Sequence, residues 1–465
     1  MSILTFRLDP ERKQPYYFQL YQHILQEIQD GGLAAGEKLP SKRILAQRLS
    51  ISVNTVDSAY QMLTVEGYLR AADRSGFYVQ PLIRLKPPEE EEPFCPPPDP
   101  PPSYEFDCGA GSVDTDAFPF ETWSRLNRSV TYRQPQLLHH GDPQGELELR
   151  QALCRYLRQA RGVRCGPEQV IVGAGMEYLL TVLCCLLPED ALFAIEEPGY
   201  PKAAQAVRNS GRRLAHIPLD EGGMSAELLE QSGAQCAYLT PSHQFPTGAV
   251  MPAGRRSQLL QWAAAQPGRY LIEDDYDSEF RYSGRPIPSL QGMDRHGRVI
   301  YCGTFSRSVA PSVRVAYLAL PPSLLPLYRQ RFSLQSSTVS RFEQHALSRF
   351  IQEGFYERHL NRTRNLYKKR RDLLVDQLKQ TPAGPWIEIR GAEAGLHLLL
   401  RLTNGLKEAE MLERARAQGV ALTGLSAYYR NPALAPEADA LCGYAHIPQQ
   451  KIPALAQALG RTWSM

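Results

Sequence analysis

The apolar positions in the first eighty residues recur with the spacing of short helices. After Tyr17 they follow the i, i+3, i+4, i+7 pattern of one buried helix face, and Gly31 and Gly32 then end the helix. The positions on this face are Leu20, Tyr21, Ile24, Leu25 and Ile28. A second helix is expected to begin at Ser41, just after Pro40, because serine is a good N-cap.

A third helix is expected to begin at Ser52 and to end at Gly67. Its buried positions would be Val56, Ala59, Tyr60 and Leu63. Only a few residues separate it from the second helix, as in a helix-turn-helix. The next stretch, "YLRAADRSGFYVQ", has a turn at Ser75 and Gly76 between two β-prone runs and predicts a hairpin or wing.

Downstream of Tyr104 the pattern changes to buried strands separated by helical segments. The strand-like runs are "QVIVGAG", "ALFAIEEPGYP", "CAYLTPS" and "RYLIEDDYD". This alternation predicts an α/β domain with a mostly parallel sheet covered by helices. Ligands of such folds bind at the carboxyl ends of the strands, where polar residues of this sequence cluster.

Length and composition agree with a multidomain globular protein. The chain has 465 residues, too many for one core, with 43% hydrophobic and 22% charged residues. Neither a signal peptide nor a membrane-spanning run is apparent, so a cytoplasmic location is expected. The net charge of +3 neither requires nor excludes nucleic acid. Nine cysteines without a C-x-x-C pair favour reduced thiols and predict no metal site.

Residues 81–104 are dominated by proline and a run of four glutamates. Such a segment cannot form regular backbone hydrogen bonds and is expected to be an extended spacer, although a proline-rich recognition motif is an alternative. The expected organisation is therefore a helical domain over residues 1–80, a linker over 81–104 and a large domain over 105–465.

The N-terminal segment resembles the GntR-type winged helix-turn-helix. It contains G-x-x-L-P-S-x-R-x-L-A from Gly36, S-x-x-T-V from Ser52, L-x-x-x-G-Y from Leu63 and G-x-x-V from Gly76. Without this resemblance, three helices and a hairpin would suit a protein-interaction domain equally well. The resemblance implies binding to double-stranded DNA. Val53 stands where the family commonly has arginine, so the operator is expected to differ from the usual one.

The expected DNA contacts fall into three groups. A helix N-terminus with positive charge can hold a phosphate, a recognition helix can present short polar side chains to bases, and a wing can approach the backbone. The residues in these groups are Ser41, Lys42 and Arg43; Ser52, Asn54 and Thr55; and Ser75 and Gly76.

The large domain resembles the fold-type I aminotransferases, which use pyridoxal phosphate, through several patches in chain order: "GAGMEYLL", "EPGYP", "TPSHQFPTG", "IEDDYDSEF" and "GTFSRSVAPSVR". The resemblance implies a phosphate loop, a stacking tyrosine, an acid facing the pyridine nitrogen and a phosphate clamp. The corresponding cofactor-binding residues are Gly173, Ala174, Gly175, Met176, Tyr200, Asp274, Tyr276, Thr304, Ser306, Arg307 and Arg314. Lys202 and His243 are expected to contact the substrate or effector.

Individually these residues allow simpler interpretations. Asp274, Asp275, Asp277 and Glu279 could form a solvated acidic loop or a magnesium site, and Tyr200 could be a core aromatic residue.

A carboxylate beside the pyridine nitrogen keeps that nitrogen protonated, and this is the expected role of Asp274. A phenol near the ring oxygen forms a hydrogen bond to that oxygen, and this is the expected role of Tyr276.

A GntR-type domain joined by a spacer to an aminotransferase-like domain is similar to the MocR-type transcriptional regulators. That resemblance implies head-to-tail homodimers and sensing of an amine, an amino acid or pyridoxal phosphate. Arg307 occupies the position of the lysine that binds the cofactor covalently, and a guanidinium cannot form that bond. A regulator that binds pyridoxal phosphate noncovalently, without turnover, is the main hypothesis. The alternatives are an active aminotransferase and a sensor of a different anionic ligand.

Overall fold

The structure, a computed structural model, describes residues 7–73, 75–81, 103–132, 134–284 and 288–464. The chain divides into two compact units, Met1–Pro101 and Pro102–Met465. Most of the expected spacer, residues 82–102, lies outside the described residues. Within the described ranges, no helix combines the length and the apolar character needed to cross a bilayer.

The N-terminal unit contains three helices and a hairpin, as the sequence predicts. The helices are α1 (Tyr16–Asp30), α2 (Lys42–Leu49) and α3 (Val53–Val65), and the strands are β1 (Leu69–Ala72) and β2 (Gly76–Val79). Gly31 ends α1 with φ +85°, the left-handed conformation that glycine adopts at helix C-termini. The four buried α3 positions predicted from the sequence are buried, but on α1 only Leu20, Ile24 and Ile28 of the predicted face are fully so.

An eight-stranded sheet forms the centre of the large unit, in the order β4-β11-β10-β9-β8-β5-β6-β7. The neighbouring pairs from β10 to β6 are parallel, and β11 and β7 pair antiparallel with their neighbours, so the sheet is mostly parallel as expected. The strands are β4 (Val170–Gly173), β5 (Leu192–Glu197), β6 (Arg213–Asp220), β7 (Gly223–Met224), β8 (Cys236–Leu239), β9 (Tyr270–Asp275), β10 (Val299–Thr304) and β11 (Ala316–Ala319). A short β3 (Phe106–Asp107) precedes them.

Helices cover this sheet, and a smaller antiparallel sheet follows it. The helices up to the smaller sheet are α4 (Phe120–Thr131), α5 (Leu147–Arg161), α6 (Met176–Leu186), α7 (Pro201–Asn209), α8 (Ala226–Gln231), α9 (Ala253–Ala265), α10 (Leu290–Met293), α11 (Leu325–Phe332), α12 (Arg341–Gln352) and α13 (Phe355–Gln380). The C-terminal part has β12 (Ile387–Arg390), β13 (His397–Leu402), α14 (Glu408–Ala417), β14 (Val420–Ala421), β15 (Thr423–Gly424), β16 (Asp439–Gly443) and α15 (Ile452–Thr462). Strands β12, β13, β16 and β15 form the smaller sheet, and β14 pairs with β3.

Candidate functional site

The expected DNA-contact residues of the N-terminal unit lie at the beginnings of α2 and α3 and in the wing. Ser41 caps α2 by accepting a 3.4 Å hydrogen bond from the Ile44 amide, and Ser52 caps α3 through a 3.1 Å bond from the Thr55 amide. Both serines orient helix N-termini, where free amides attract phosphate. Thr55 is half-buried and its hydroxyl contacts that of Ser52, 2.8 Å away.

Arg43 and Asn54 are exposed, whereas Lys42 has two partners within the unit. The Lys42 ammonium forms an ion pair with Asp57 of α3 and lies 5.0 Å from the centre of the Phe77 ring. The negative charge of Asp57 therefore neutralises part of the positive charge expected at this helix N-terminus. In the wing, Ser75 contacts the Tyr78 hydroxyl at 2.6 Å, and Gly76 has φ +114°, which favours glycine.

The large unit has a cavity of about 170 Å³ at the carboxyl ends of its parallel strands. Residues at the ends of β4, β5, β8, β9 and β10 converge there, as expected for an open α/β sheet. The lining residues are Gly111, Gly175, Met176, Glu177, Tyr200, Lys202, Thr240, Phe245, Asp274, Tyr276, Thr304, Ser306, Arg307, Pro311 and Arg314. We call this space the ligand cavity.

One end of the ligand cavity is built around Gly175, the N-cap of α6. Gly175 has φ +97°, and a β-carbon on it would lie 2.6 Å from Nη2 of Arg314. Only glycine therefore lets the Arg314 guanidinium approach the helix N-terminus, where free amides and positive charge favour an anion. Thr304 and Ser306, whose hydroxyl oxygens are 3.0 Å apart, line the same cavity.

Glu177 brings a negative charge to this cationic end. Its carboxylate lies 3.3 Å from Arg314 Nη2 and 3.9 Å from Lys202 Nζ. All three side chains are partly exposed, so water screens these contacts and each is weak. An anion that enters the cavity therefore competes with the Glu177 carboxylate for Arg314 and Lys202.

Asp274 has an uncommon environment for a carboxylate. It is 5% exposed, its Oδ2 accepts a hydrogen bond from the Tyr238 hydroxyl, and its Oδ1 has no hydrogen-bond partner. Burial raises the pKa of Asp274 to about 7. A buried acceptor without a hydrogen-bond partner destabilises the folded protein, so Oδ1 is suited to accept a hydrogen bond from a ligand.

Two tyrosines and Phe245 provide aromatic surface around Asp274. The Tyr200 ring packs edge-on against Phe245 at 5.5 Å, and the Tyr276 ring packs edge-on against the same phenylalanine at 5.9 Å. Burial raises the pKa of Tyr200 to about 12 and that of Tyr276 well above its ordinary value. Both phenols therefore stay neutral hydrogen-bonding groups at physiological pH.

Arg307 follows the end of β10 and lines the ligand cavity. Its positive charge acts on Asp274, Tyr200 and Tyr276, where it lowers the pKa of each against the opposing effect of burial. Nη1 of Arg307 is buried without a hydrogen-bond partner. A β-carbon on Gly111 would lie 3.8 Å from this atom, so Gly111 leaves room beside the guanidinium.

Comparisons with known proteins agree with both units. Residues 107–459 match the aminotransferase class I and II family, and residues 16–79 match the gntR family of bacterial regulatory proteins. The uncharacterized HTH-type transcriptional regulator YhdI of Bacillus subtilis is 38% identical over 100% of this chain and 99% of that protein. The probable rhizopine catabolism regulatory protein MocR of Rhizobium meliloti is 34% identical over 95% of this chain and 92% of its own length. The chain belongs to the MocR-type transcriptional regulators.

Solved structures resemble the large unit of this MocR-type regulator. A kynurenine aminotransferase of Pyrococcus horikoshii, in complex with PMP and kynurenine, superimposes with a TM-score of 0.68 at 26% identity. The match covers 77% of this chain and 90% of that protein. The MocR-type regulator thus joins a GntR helix-turn-helix domain, which implies DNA binding, to a domain with the aminotransferase fold.

The structure of the MocR-type regulator brings together nine of the eleven expected cofactor-binding residues in the ligand cavity, with Lys202, which was expected to contact the effector. Gly173 and Ala174 belong to the same loop but face elsewhere: a β-carbon on Gly173 would collide with Leu179, and Ala174 lines a neighbouring groove. The nine are Gly175, Met176, Tyr200, Asp274, Tyr276, Thr304, Ser306, Arg307 and Arg314.

His243, expected to contact the effector, lies behind Tyr276 and does not line the cavity. Its Nδ1 is 2.9 Å from Asp277 Oδ2 and 2.9 Å from the Tyr276 hydroxyl oxygen, and the side chain is buried. His243 therefore contacts Tyr276 and Asp277, and its contact with an effector stays a prediction. The sequence offered no sign of this, because the position of His243 depends on how the loop after β8 packs on the loop after β9.

The four acidic residues Asp274, Asp275, Asp277 and Glu279, at the end of β9 and just after it, do not form a solvated loop. Asp274, Asp275 and Asp277 are buried, and Asp275 forms an ion pair with Arg161 of α5 at 2.7 Å. In the described residues no three metal-ligating side chains converge, and these carboxylates have separate partners. Buried charges with individual partners are typical of a site held in one arrangement.

The sequence analysis did not name several residues of the site, among them Tyr238, Thr240 and Gly111. Tyr238 of β8 donates its hydroxyl proton to Asp274, Thr240 lines the cavity after the same strand, and Gly111 borders Arg307. Tyr238 stands in the strand-like run "CAYLTPS", so its inward-facing position next to β9 was the available signal. Gly111 lies in no recognisable motif.

Proposed function

We propose that this MocR-type regulator binds pyridoxal phosphate noncovalently in the ligand cavity, and responds to it or to an amine or amino acid, without catalysing transamination. The observation that carries the proposal is Arg307, which lines the cavity near Asp274. A guanidinium stays protonated and cannot condense with an aldehyde, whereas a neutral lysine amine can.

The residues present suit the two ends of this cofactor. Asp274, whose Oδ1 has no partner, would accept a hydrogen bond from the pyridine nitrogen. The N-terminus of α6 at Gly175, with Arg314, would bind the phosphate, and Thr304 and Ser306 would donate hydroxyl protons to it. When bound, the cofactor supplies an electron-accepting ring.

The absence of turnover follows from the groups available for proton transfer. A transaminase needs a base that can give up and regain a proton beside the cofactor, and the guanidinium of Arg307 cannot do so. Among the described residues that line the cavity, Lys202 is the one lysine. Its ammonium lies at the phosphate end, 3.9 Å from Glu177, and its side chain is 68% exposed.

A second candidate is a regulator that senses another anionic ligand without pyridoxal phosphate. The observation in its favour is that two arginines, Arg307 and Arg314, line one small cavity and that Nη1 of Arg307 has no partner. Two guanidinium groups would bind a ligand with two anionic groups by paired hydrogen bonds.

Titration of the full-length protein with pyridoxal phosphate tests the proposal. We expect saturable quenching of tryptophan fluorescence that dialysis reverses, and no retention of cofactor after treatment with borohydride. Incubation of the complex with single amino acids should leave the cofactor unconverted. Cofactor fixed by borohydride, or converted in a single turnover, would contradict the proposal. Absence of any binding at millimolar concentration would favour the second candidate.

The same proposal assigns DNA contacts to the N-terminal unit. Arg43 and Asn54 are the exposed polar residues best placed at the beginnings of α2 and α3, and Ser41 and Ser52 orient the two helix N-termini. Arg43 would bind a phosphate, and Asn54 would contact base edges in the major groove. Lys42 would have to leave Asp57 before it could bind DNA.

We infer that the protein forms a homodimer through its large unit. A groove lined by Phe118, Phe120, Trp123 and Val313 has a volume of about 690 Å³ and shares Pro311 and Arg314 with the ligand cavity. Phe120 is 66% exposed. Phe118 and Trp123 beside it are half-buried. An apolar groove with an exposed aromatic side chain is suited to an interaction site, and a second copy seated in this groove would border the ligand cavity.

A further inference from the structure

Two cysteines of the large unit lie in contact, and neither of them lines the ligand cavity. Cys154 belongs to α5 and Cys165 to the segment that joins α5 to β4. Their sulfur atoms are 3.6 Å apart. A disulfide needs sulfur atoms at about 2.05 Å, so an approach of roughly 1.5 Å would join them. The eight described cysteines are free thiols, and only Cys185 of these is exposed.

The two cysteines are buried but remain accessible to solvent through a surface cavity. Cys154 is 9% exposed and Cys165 is 7% exposed. Both border a surface cavity of about 420 Å³, which is also lined by Gln151, Arg155, Arg158 and Gly166. A small oxidant can therefore reach the sulfur atoms from solvent through this cavity, which Arg155 and Arg158 line.

The surroundings favour the thiolate of Cys154. A hydrogen bond from the Cys165 thiol lowers the pKa of Cys154, and the positive charges of Arg158 and Arg150 act in the same direction. Burial and the carboxylate of Glu168 oppose them. The thiolate is the nucleophilic form of cysteine, so Cys154 is the sulfur that would react first.

A second pair of thiols in the same chain provides an internal comparison. Cys108 and Cys442 are hydrogen-bonded to each other, and both are 0% exposed. The hydrogen bond to Cys442 and burial raise the pKa of Cys108 well above its ordinary value. This pair therefore lacks both the solvent access and the thiolate character of Cys154 and Cys165.

We propose that Cys154 and Cys165 form a site of reversible oxidation that reacts with hydroperoxides. The Cys154 thiolate attacks one peroxide oxygen: an S–O bond forms, the O–O bond breaks, and the leaving hydroxide or alkoxide takes a proton. Cys165 sulfur then attacks Cys154 sulfur, the S–S bond forms, the S–O bond breaks, and the departing hydroxide leaves as water with the Cys165 proton. The two sulfurs supply the two electrons that reduce the peroxide. A dithiol reverses the reaction by exchange.

The bridge would join α5 to the segment that leads into β4. The same segment is already held by Arg150 of α5, which donates a 2.8 Å hydrogen bond to the carbonyl of Pro167. β4 ends at the Gly173–Gly175 loop of the ligand cavity, so the bridge would act on the elements that carry this cavity. The chemistry of the pair does not depend on which ligand the cavity binds.

Mass spectrometry of the full-length protein tests the proposal. The protein is treated with a few equivalents of hydrogen peroxide, alkylated with N-ethylmaleimide, denatured and cleaved with trypsin and a glutamate-specific protease. These enzymes release "QALCR", residues 151–155, and "CGPE", residues 165–168, each with a single cysteine. We expect these two peptides to be linked after oxidation and to separate after dithiothreitol, while the peptides of Cys108 and Cys442 stay unlinked.

Two variants assign the roles of the sulfurs. C165S is expected to accumulate a sulfenic acid at Cys154 that dimedone traps, whereas C154S is expected to give little trapped product at Cys165. C185S, which removes the exposed thiol, should form the linked peptides as the unmodified protein does. The proposal is overturned if both thiols remain alkylatable at peroxide concentrations that oxidise Cys185, or if Cys154 links mainly to a cysteine other than Cys165. The experiment on the unmodified protein decides the matter even if a serine variant fails to fold.

Discussion

Arg161 Nε donates a 2.7 Å hydrogen bond to Oδ2 of Asp275, next in sequence to Asp274. The same guanidinium donates from Nη2 to the Ser242 hydroxyl at 2.7 Å. Two adjacent carboxylates of β9 thus have different partners: Asp275 has a buried arginine and the Tyr301 hydroxyl, whereas Asp274 has a tyrosine hydroxyl without an arginine and lines the ligand cavity. This difference separates a structural acid from an acid that is available to a ligand.

Replacing Arg161 by methionine is expected to destabilise the large unit by about 3–5 kcal/mol, because it leaves the buried charge of Asp275 without its partner. Urea unfolding followed by tryptophan fluorescence measures the change, since all four tryptophans lie in the large unit. Arg155→Ala on the exposed face of the same helix should change stability by less than about 0.5 kcal/mol. Equal effects of the two substitutions would contradict the importance of the ion pair.

Asp274→Asn is expected to weaken pyridoxal phosphate binding and to stabilise the ligand-free protein at high pH. Burial raises the pKa of Asp274 to about 7, so the folded state holds this proton more tightly than the unfolded state does. The stabilisation of the folded state by this bound proton is complete below pH 4 and is lost as the pH rises through 7. As the pH rises from 5.5 to 8, the free energy of unfolding of the variant should therefore increase by roughly 1–3 kcal/mol relative to that of the unmodified protein. A pH-independent difference in Tm would refute this explanation.

Arg307→Lys is expected to convert reversible binding into covalent attachment, because the remaining residues of the ligand cavity already suit the cofactor. A visible absorption band should appear with pyridoxal phosphate, and borohydride should fix the cofactor to the introduced lysine. Arg307→Gln removes the charge without adding an amine and should remain colourless. A colourless Arg307→Lys variant in excess cofactor would show that the cavity does not place the aldehyde at position 307.

Arg43→Ala and Asn54→Ala should affect DNA binding in different ways. Loss of Arg43 is expected to weaken binding to all duplexes and to reduce the slope of log K against log salt by about 1. Loss of Asn54 is expected to cost about 1–3 kcal/mol for the preferred sequence and little for others. Val65→Ser, at the far end of α3, serves as the control. Binding assays on promoter and scrambled DNA at several salt concentrations distinguish these outcomes.

The dimer inferred from the aromatic groove is tested by sedimentation of the full-length protein at micromolar concentration. Phe120→Asp should shift the protein toward monomer, because a charge would have to be buried in the interface. Leu434→Asp is a matched control: Leu434 is 65% exposed, close to the 66% of Phe120, but does not line the groove. Dissociation caused equally by both substitutions, or a monomeric unmodified protein, would argue against this interface.

The sequence was most informative where local chemistry determines structure. Ser41, Ser52 and Gly31 fixed the helix ends, and runs such as "RYLIEDDYD" placed acids at the end of a buried strand. It was least informative where the outcome depends on elements distant in the chain. The ion pair of Lys42 with Asp57 and the placement of His243 behind Tyr276 both result from packing between elements, which no local pattern records. The groove beside the ligand cavity likewise combines residues separated by more than two hundred positions.

Glu177 gives the ligand cavity a built-in counter-ion. Because its carboxylate already lies near Arg314 and Lys202, any anion that enters the cavity competes with a group held at high local concentration. Under the proposed function, a ligand that also engages Asp274 at the opposite end would gain contacts that free phosphate or sulfate lacks. The acid would then favour molecules long enough to reach both ends over small inorganic anions.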